Sequence, residues 1–111
     1  MQKFLVLFLA PAAVIAEWMK TPQEERKVAE KKMKEDWDVW TAAHASMIKE
    51  TNAGGKTKRI SAEGVIDAKN DIMLYSIIEA ESHEAVANTF MGHPHLTIPQ
   101  ASIEVMAIRP M

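Results

Sequence analysis

Three of the four histidines stand where proton transfer could take place, namely His44, His93 and His95. The unperturbed pKa of imidazole, about 6.5, suits proton exchange at neutral pH. His44 falls late in a predicted long helix, and His93 and His95 directly follow a second predicted helix. In a sandwich where each helix runs antiparallel to the strand before it, both helices end at the same edge of the sheet. We therefore expect the three imidazoles to converge there.

This placement predicts His93 and His44 as the acid–base pair of a cleft, with His95 orienting a bound molecule. Each residue also has a structural interpretation. His44 could lie at the core margin, bonded to a backbone carbonyl. His93 could be a cation that favours a helix C-terminus, and His95 could pack in its loop beside Leu96. His83, in the first turn of the second helix, is expected to be solvated.

A metal site has some support, because His93, His95 and His44 together supply three imidazoles. No HExxH spacing, cysteine or aspartate cluster accompanies them. Gly54-Gly55 follows a helix, which is the wrong order for a phosphate-binding loop. We therefore predict neither a metal nor another cofactor.

Aromatic residues are predicted to form the cleft wall. Trp40, Trp37 and Tyr75 are the predicted substrate-binding residues beside His95, since flat rings pack against a flat ligand. Trp40 lies one helical turn before His44, and Tyr75 adds a hydroxyl that could orient a polar substituent. In the alternative interpretation the tryptophans only pack the helix onto the sheet.

Glu104 stands in the middle of an apolar strand, where a carboxylate is costly unless it is paired. We expect it first to pair with Lys58 or Arg59, at a sheet edge or at a seam between subunits. In the alternative it faces the cleft and tunes a histidine.

The elements that position these residues follow from periodicity and turn chemistry. Residues 4–9 are apolar at every position, which predicts a strand over 3–9 that is buried on both faces. A helical turn over 12–19 follows. Thr21, Pro22 and Glu24 then predict a capped helix start, with the helix running to about residue 49 and ending at the turn 52–55.

The second half of the chain repeats this order. A weak edge strand is predicted over 56–62, and a strand with two apolar faces over 72–80. Ser82 predicts the N-cap of a helix that ends at Gly92. The loop that follows is expected to be extended because of Pro94 and Pro99, and the last strand covers 102–108.

The order β-α-β-β-α-β predicts an α+β fold, a ferredoxin-like βαββαβ sandwich, as a single domain over 1–111. Both helices cover one face of the sheet. The other face is apolar as well, so we expect a homodimer through sheet faces, in which a second copy covers it.

Several segments resemble the YCII-related (DGPF-domain) family of the dimeric α/β-barrel superfamily. They are residues 3–7 with Ala10-Pro11, then Trp37-Asp38-Val39-Trp40, Glu79-Ala80-Glu81-Ser82, Gly92-His93-Pro94-His95-Leu96, and Ile103-Glu104-Val105. The resemblance implies a ferredoxin-like protomer, a sheet-face dimer forming a dimeric α/β barrel, and a cleft between the helices and the sheet of each protomer.

Some members of this family are similar to chloro-hydroxyhydroquinone dehydrochlorinases and muconolactone isomerases, for which a His–Asp acid–base pair has been proposed. This chain has His93-Pro94 where that branch often has Asp-Pro, and residues 23–32 contain no histidine. The proposed pair is therefore not transferred intact.

Composition narrows the class of protein further. The 13 Lys and Arg and 15 Asp and Glu are mixed along the chain and give a net charge of −2, which favours neither a nucleic-acid nor a membrane partner. The absence of cysteine excludes disulfides and fits a cytoplasmic location. The alternative is export, with residues 1–16 as a signal peptide.

Together these inferences favour a small-molecule-binding dimer, with a cofactor-independent acid–base reaction of the isomerase or lyase type on a small aromatic or lactone-like substrate. Two other classes stay open: a non-catalytic ligand-binding or regulatory module, and a structural dimer without a ligand. The residues do not decide whether the protein is an enzyme. Perturbed, coupled histidine titrations would favour catalysis, and a cleft filled by side chains would favour the structural dimer.

Overall fold

The computed structural model describes all 111 residues of the chain. Its strands are β1 (Gln2–Leu9), β2 (Ile48–Ala53), β3 (Thr57–Ser61), β4 (Gly64–Ala68), β5 (Ile72–Ala80) and β6 (Ser102–Ala107). Its helices are α1 (Ala12–Trp18), α2 (Gln23–Ala43) and α3 (His83–Thr89), and a 3₁₀-helix covers Pro94–Thr97. None of the helices combines the length and the apolar character needed to cross a bilayer.

Four strands form one antiparallel sheet in the order β2-β5-β1-β6. β1 and β2 are joined through α1 and α2, and they are separated in the sheet by β5. β5 and β6 are joined through α3 and are separated by β1. These two interleaved crossovers are the split βαβ arrangement, so the α+β, ferredoxin-like pattern expected from the sequence is confirmed.

The prediction for the middle of the chain was wrong in its boundaries. α2 ends at Ala43, well before residue 49, and the second strand of the main sheet is β2 rather than residues 56–62. The apolar stripe was misleading because Met47 and Ile48 pack against the same core as the helix, although Met47 lies in the turn after α2 and Ile48 begins β2. Pairing of β2 with β5 satisfies the backbone of this polar segment.

Residues 56–62 do contain a strand, β3, but it pairs only with β4, a strand that the pattern did not predict. The two strands form a separate hairpin, called the β3–β4 hairpin below. It is inserted between β2 and β5, so it adds no strand to the main sheet.

Local signals at helix ends had mixed outcomes. Ser82 caps α3 as predicted, its Oγ accepting a hydrogen bond from the Ala85 N–H at 3.1 Å. Thr21 makes no side-chain cap, because α2 begins one residue later than expected, with Pro22 at its N-cap. The loop after α3 was expected to be extended, but it contains the 3₁₀-helix.

The core lies between the sheet and the helices. Its buried side chains are Phe4, Val6 and Phe8 from β1, Ile78 from β5, and Val86 and Phe90 from α3. The alternate residues of β1 point to the other face of the sheet, as the two-residue period of a strand requires. This outer sheet face carries Leu5, Leu7, Tyr75, Ile77, Glu104 and Met106.

Candidate functional site

His93 lies at the turn that joins α3 to the 3₁₀-helix. Gly92 precedes it with φ +76°, a left-handed conformation that glycine adopts without a steric penalty. His93 then acts as the N-cap of the 3₁₀-helix, because its Nδ1 accepts a hydrogen bond from the backbone N–H of His95 at 3.0 Å. The side chain is buried, with 1% of its surface exposed.

Four aromatic rings surround His93, and we call them the aromatic box: Phe8, Trp37, Trp40 and Phe90. The ring centroids of Trp37 and Trp40 lie 4.4 and 4.5 Å from that of His93, and both rings meet it edge to face. The Phe8 and Phe90 centroids lie at 5.3 and 5.7 Å. β1, α2 and α3 therefore each contribute to the wall around one imidazole.

The remaining ring nitrogen of His93, Nε2, is buried and has no hydrogen-bond partner. Since Nδ1 accepts a hydrogen bond, the neutral ring carries its proton on Nε2. Burial, and secondarily the nearby His95 and His44, lower the pKa of His93 to about 4. At neutral pH the residue is thus an uncharged imidazole with an unsatisfied N–H donor inside the aromatic box.

His44 is the C-cap residue of α2 and is half-buried. Its Nδ1–H donates to the carbonyl of Trp40 at 2.8 Å, which leaves the lone pair on Nε2. Its ring stacks on the indole of Trp40, with centroids 4.2 Å apart and an interplanar angle of 27°. Trp40 therefore contacts both His44 and His93.

His95 is buried and is held at the end of β1. Its Nε2–H donates to the carbonyl of Leu9 at 2.8 Å, and its ring meets the edge of Phe8 at 5.5 Å. With its backbone N–H bonded to His93, this residue ties the 3₁₀-helix to the sheet and orients the neighbouring imidazole.

The structure thus brings together His44, His93 and His95, which are distant in the sequence, and places Trp37 and Trp40 beside them. The sequence reasoning missed Phe8 and Phe90 as members of the group. Two sequence signals could have identified them. Phe8 lies on the same face of β1 as Phe4 and Val6, and Phe90 lies in the last turn before Gly92.

Tyr75 does not join this group. Ser76 and Ile78 point to the core, so Tyr75 points to the outer sheet face, where its hydroxyl accepts a hydrogen bond from Asn52 Nδ2 at 3.1 Å. The expectation that it lines the same wall as Trp40 is corrected by this strand parity.

Glu104 lies on the outer sheet face opposite Leu7 and is exposed. It does not face the aromatic box, and it has no ionic partner within the chain. Lys58, one of its two expected partners, is instead paired with Asp67 at 2.7 Å. Arg59, the other, forms no ion pair in the chain.

His83 is exposed, as expected, but it is not free. Its Nε2–H donates to the carbonyl of Val105 at 2.7 Å, and its ring lies 5.3 Å from that of Phe4. It borders a surface cleft of about 220 Å³ between α3 and β6, which is lined by Phe90 but not by His93. No three His, Asp or Glu side chains lie close enough together to hold a metal ion.

Comparison with known proteins addresses the fold. No protein-family model matches this chain, and no curated protein matches it in sequence. It is similar in structure to 5-chloro-2-hydroxyhydroquinone dehydrochlorinase from Burkholderia phenoliruptrix AC1100, solved in complex with 2,5-dihydroxybenzoquinone. The identity is 12%, the TM-score is 0.52, and the match covers 100% of this chain and 94% of that chain.

The two chains share a fold. That fold is the α+β, ferredoxin-like arrangement of helices on an antiparallel sheet described above. At this identity the likeness concerns the architecture alone.

Proposed function

We propose that this chain is a YCII-related protein that binds a small flat ring compound beside His93 and works as a homodimer joined through its outer sheet faces. The observation that carries the ligand proposal is the unpaired Nε2–H of His93 within the aromatic box. The likeness in fold to a dehydrochlorinase that binds a quinone supports a ring compound as the ligand class.

An unpaired buried donor needs a physical reason. Leaving such a group without a partner costs about 1–3 kcal/mol, so folded proteins rarely keep one. A carbonyl, hydroxyl or phenolate oxygen of a ligand would satisfy Nε2–H. The rings of Trp37 and Trp40 would pack against the flat body of the same ligand.

For the reaction we propose acid–base catalysis without a cofactor, with different roles for the two histidines. A pKa of about 4 makes His93 a poor base at neutral pH, but a good neutral hydrogen-bond donor. In the neutral ring of His44 the lone pair lies on Nε2, since Nδ1–H is bonded to the carbonyl of Trp40. We assign His44 as the general base and His93 as the donor to the developing oxyanion.

The step balances with these two groups alone. His44 Nε2 removes a proton next to a ring carbonyl, and the electron pair moves to the carbonyl oxygen, which accepts the hydrogen bond from His93. The enolate then collapses in one of two ways. Return of the proton from His44 to another ring carbon is an isomerisation, and loss of an anionic substituent is an elimination.

The close packing of the aromatic box favours a second candidate, a non-catalytic binding module or a structural dimer. His93 is 1% exposed, so a ligand reaches Nε2–H only if a neighbouring ring moves. Trp40 is the ring to move, because it is half-buried and separates His93 from His44.

The deciding experiment is a titration of ¹⁵N-histidine-labelled protein with 2,5-dihydroxybenzoquinone and, separately, with muconolactone, followed by NMR and by assay for turnover. Binding with a downfield shift of the His93 Nε2–H signal supports the site, and turnover supports catalysis. Binding without turnover favours the non-catalytic module. If neither compound shifts this signal at millimolar concentration, the proposed ligand class is wrong.

A further inference from the structure

The β3–β4 hairpin is attached to the main body only at its base. At that base Gly54 N–H donates to the carbonyl of Met73 at 2.8 Å, and Asn70 Nδ2 donates to Thr57 Oγ1 at 3.4 Å. Beyond it, residues 58–67 are all exposed. A two-stranded hairpin is marginally stable in water by itself, so this one needs a surface to rest on.

The two faces of the hairpin differ. Arg59 and Ile66 are cross-strand partners and share one face, where Ile66 is 57% exposed and Arg59 has no acidic partner. The opposite face carries Lys58 and Asp67, which already neutralise each other, and two exposed apolar side chains, Ile60 and Val65. The first face therefore combines an exposed apolar side chain with an unpaired cation.

The outer sheet face has the complementary features. Leu5, Leu7 and Ile77 form an apolar surface, and Glu104 stands beside Leu7 without an ionic partner. An unpaired carboxylate amid apolar side chains is costly once that surface is covered, unless the covering surface brings a cation. The same chain thus offers an apolar surface with an unpaired anion and an apolar hairpin with an unpaired cation.

We propose that the β3–β4 hairpin is an arm that lies on the outer sheet face of a second copy of this chain, so that Arg59 pairs with Glu104 of that copy. The inference rests on the sheet-face homodimer proposed above. A two-fold axis forms the contact twice, because the arm of each protomer then lies on the outer sheet face of the other. Glu104 lies on β6, an edge strand of the sheet, so an arm whose five-residue strands reach about 16 Å can contact it beside the sheet-to-sheet contact.

Charge reversal tests the arm. Arg59→Glu is expected to raise the dimer dissociation constant about tenfold, because two symmetric contacts become repulsive, and Arg59→Glu with Glu104→Arg is expected to bring it back near the wild-type value. Lys27→Glu, an equal charge change on α2, is the control and leaves the constant unchanged. The measurement is sedimentation equilibrium at fixed salt.

Apolar variants test which face of the hairpin makes the contact. Ile66→Ser is expected to weaken the dimer, whereas Ile60→Ser, on the opposite face, is not. Circular dichroism verifies that each variant is folded. Equal effects of the two variants would contradict the assigned face.

Cross-linking gives an independent readout, since the chain has no native cysteine. A mixture of Arg59→Cys and Glu104→Cys protomers is expected, after mild oxidation, to yield a disulfide peptide that joins the two positions across chains. A mixture with Lys27→Cys in place of Arg59→Cys yields none.

The outcomes separate the arm from the dimer itself. A wild-type dimer that Leu7→Lys disrupts but that Arg59→Glu leaves unchanged would overturn the arm and leave the sheet-face interface standing. A wild-type chain that is monomeric at all concentrations would overturn both proposals, and it would leave the ligand site beside His93 to its own test.

Discussion

His93 Nδ1 accepts a hydrogen bond from the backbone N–H of His95, and this 3.0 Å contact decides the chemistry of the site. It places the proton of the neutral ring on Nε2, which lies within the aromatic box without a partner. The same contact caps the 3₁₀-helix. One side chain is therefore both a structural cap and a donor available to a ligand.

Replacing His93 separates these two roles. His93→Phe removes the unpaired donor and fills the aromatic box, which stabilises the fold, but it also removes the cap of the 3₁₀-helix, which destabilises it. Because these effects oppose each other, the free energy of unfolding is expected to stay within about 1 kcal/mol of the wild type. His93→Ala leaves a cavity and is expected to lose about 2–4 kcal/mol. Both variants should lose ligand binding at least tenfold. Urea unfolding and ligand titration measure these effects, and equal destabilisation by Phe and Ala would argue against a costly unpaired donor.

Acid is expected to destabilise the fold through His93. Its folded pKa is about 4, against about 6.5 in an unfolded chain, so the unfolded state binds the proton more tightly. The contribution of neutral His93 to the free energy of unfolding is complete above about pH 6.5 and is lost as the pH falls toward about 4. It amounts to on the order of 3 kcal/mol.

The measurement is urea unfolding from pH 7.5 to pH 4 for the wild type and for His93→Phe. The two chains differ only at residue 93, so the difference between their pH profiles reports on His93. Identical pH profiles for the two chains would show that the pKa of His93 is not lowered.

Phe8 holds the aromatic box together, since its ring contacts Trp37, Phe90 and His93. It is 1% exposed, so Phe8→Ala is expected to lower the free energy of unfolding by about 3–5 kcal/mol. Val28→Ala, at a side chain that is 73% exposed on α2, is expected to change it by less than about 0.5 kcal/mol. Chemical denaturation compares the two, and a small loss for Phe8→Ala would mean that the box is loosely packed.

Leu7 lies at the centre of the outer sheet face, between Tyr75 and Glu104. Leu7→Lys is expected to dissociate the proposed dimer with little loss of protomer stability, because a charge would be buried only in the assembly. Val39→Lys, on the exposed side of α2, is the control. Light scattering after gel filtration gives the mass, and a dimer that tolerates Leu7→Lys would place the interface elsewhere.

His44 is the proposed general base for any ring compound that the protein converts. His44→Gln is expected to lower kcat by about 10²-fold or more with a small effect on KM, because removal of a general base affects the chemical step. Trp18→Phe should leave both constants unchanged. An unaltered kcat in His44→Gln would remove this residue from the mechanism.

Local patterns predicted the parts of the fold that depend on local physics. The sequence predicted the buried strands β1 and β5 and the Ser82 cap of α3. Strand burial and helix capping depend on residues that are neighbours in the chain, so they can be recognised locally. The boundary after Ala43 was missed because Met47 continues the helical stripe while lying in the turn that leads into β2. Only pairing with β5, a non-local contact, distinguishes the two conformations there.

The candidate site was also predictable only in part. The sequence placed His44, His93 and His95 at one edge of the sheet, since the order of helices and strands dictates where each helix ends. It could not decide which face of β5 meets the helices, because both faces are apolar, and Tyr75 was assigned to the wrong one. The burial of His93, its fixed proton and its lowered pKa arise from rings on three separate elements. Desolvation depends on what the folded chain packs around a group, so only the tertiary structure decided that this histidine is a neutral donor.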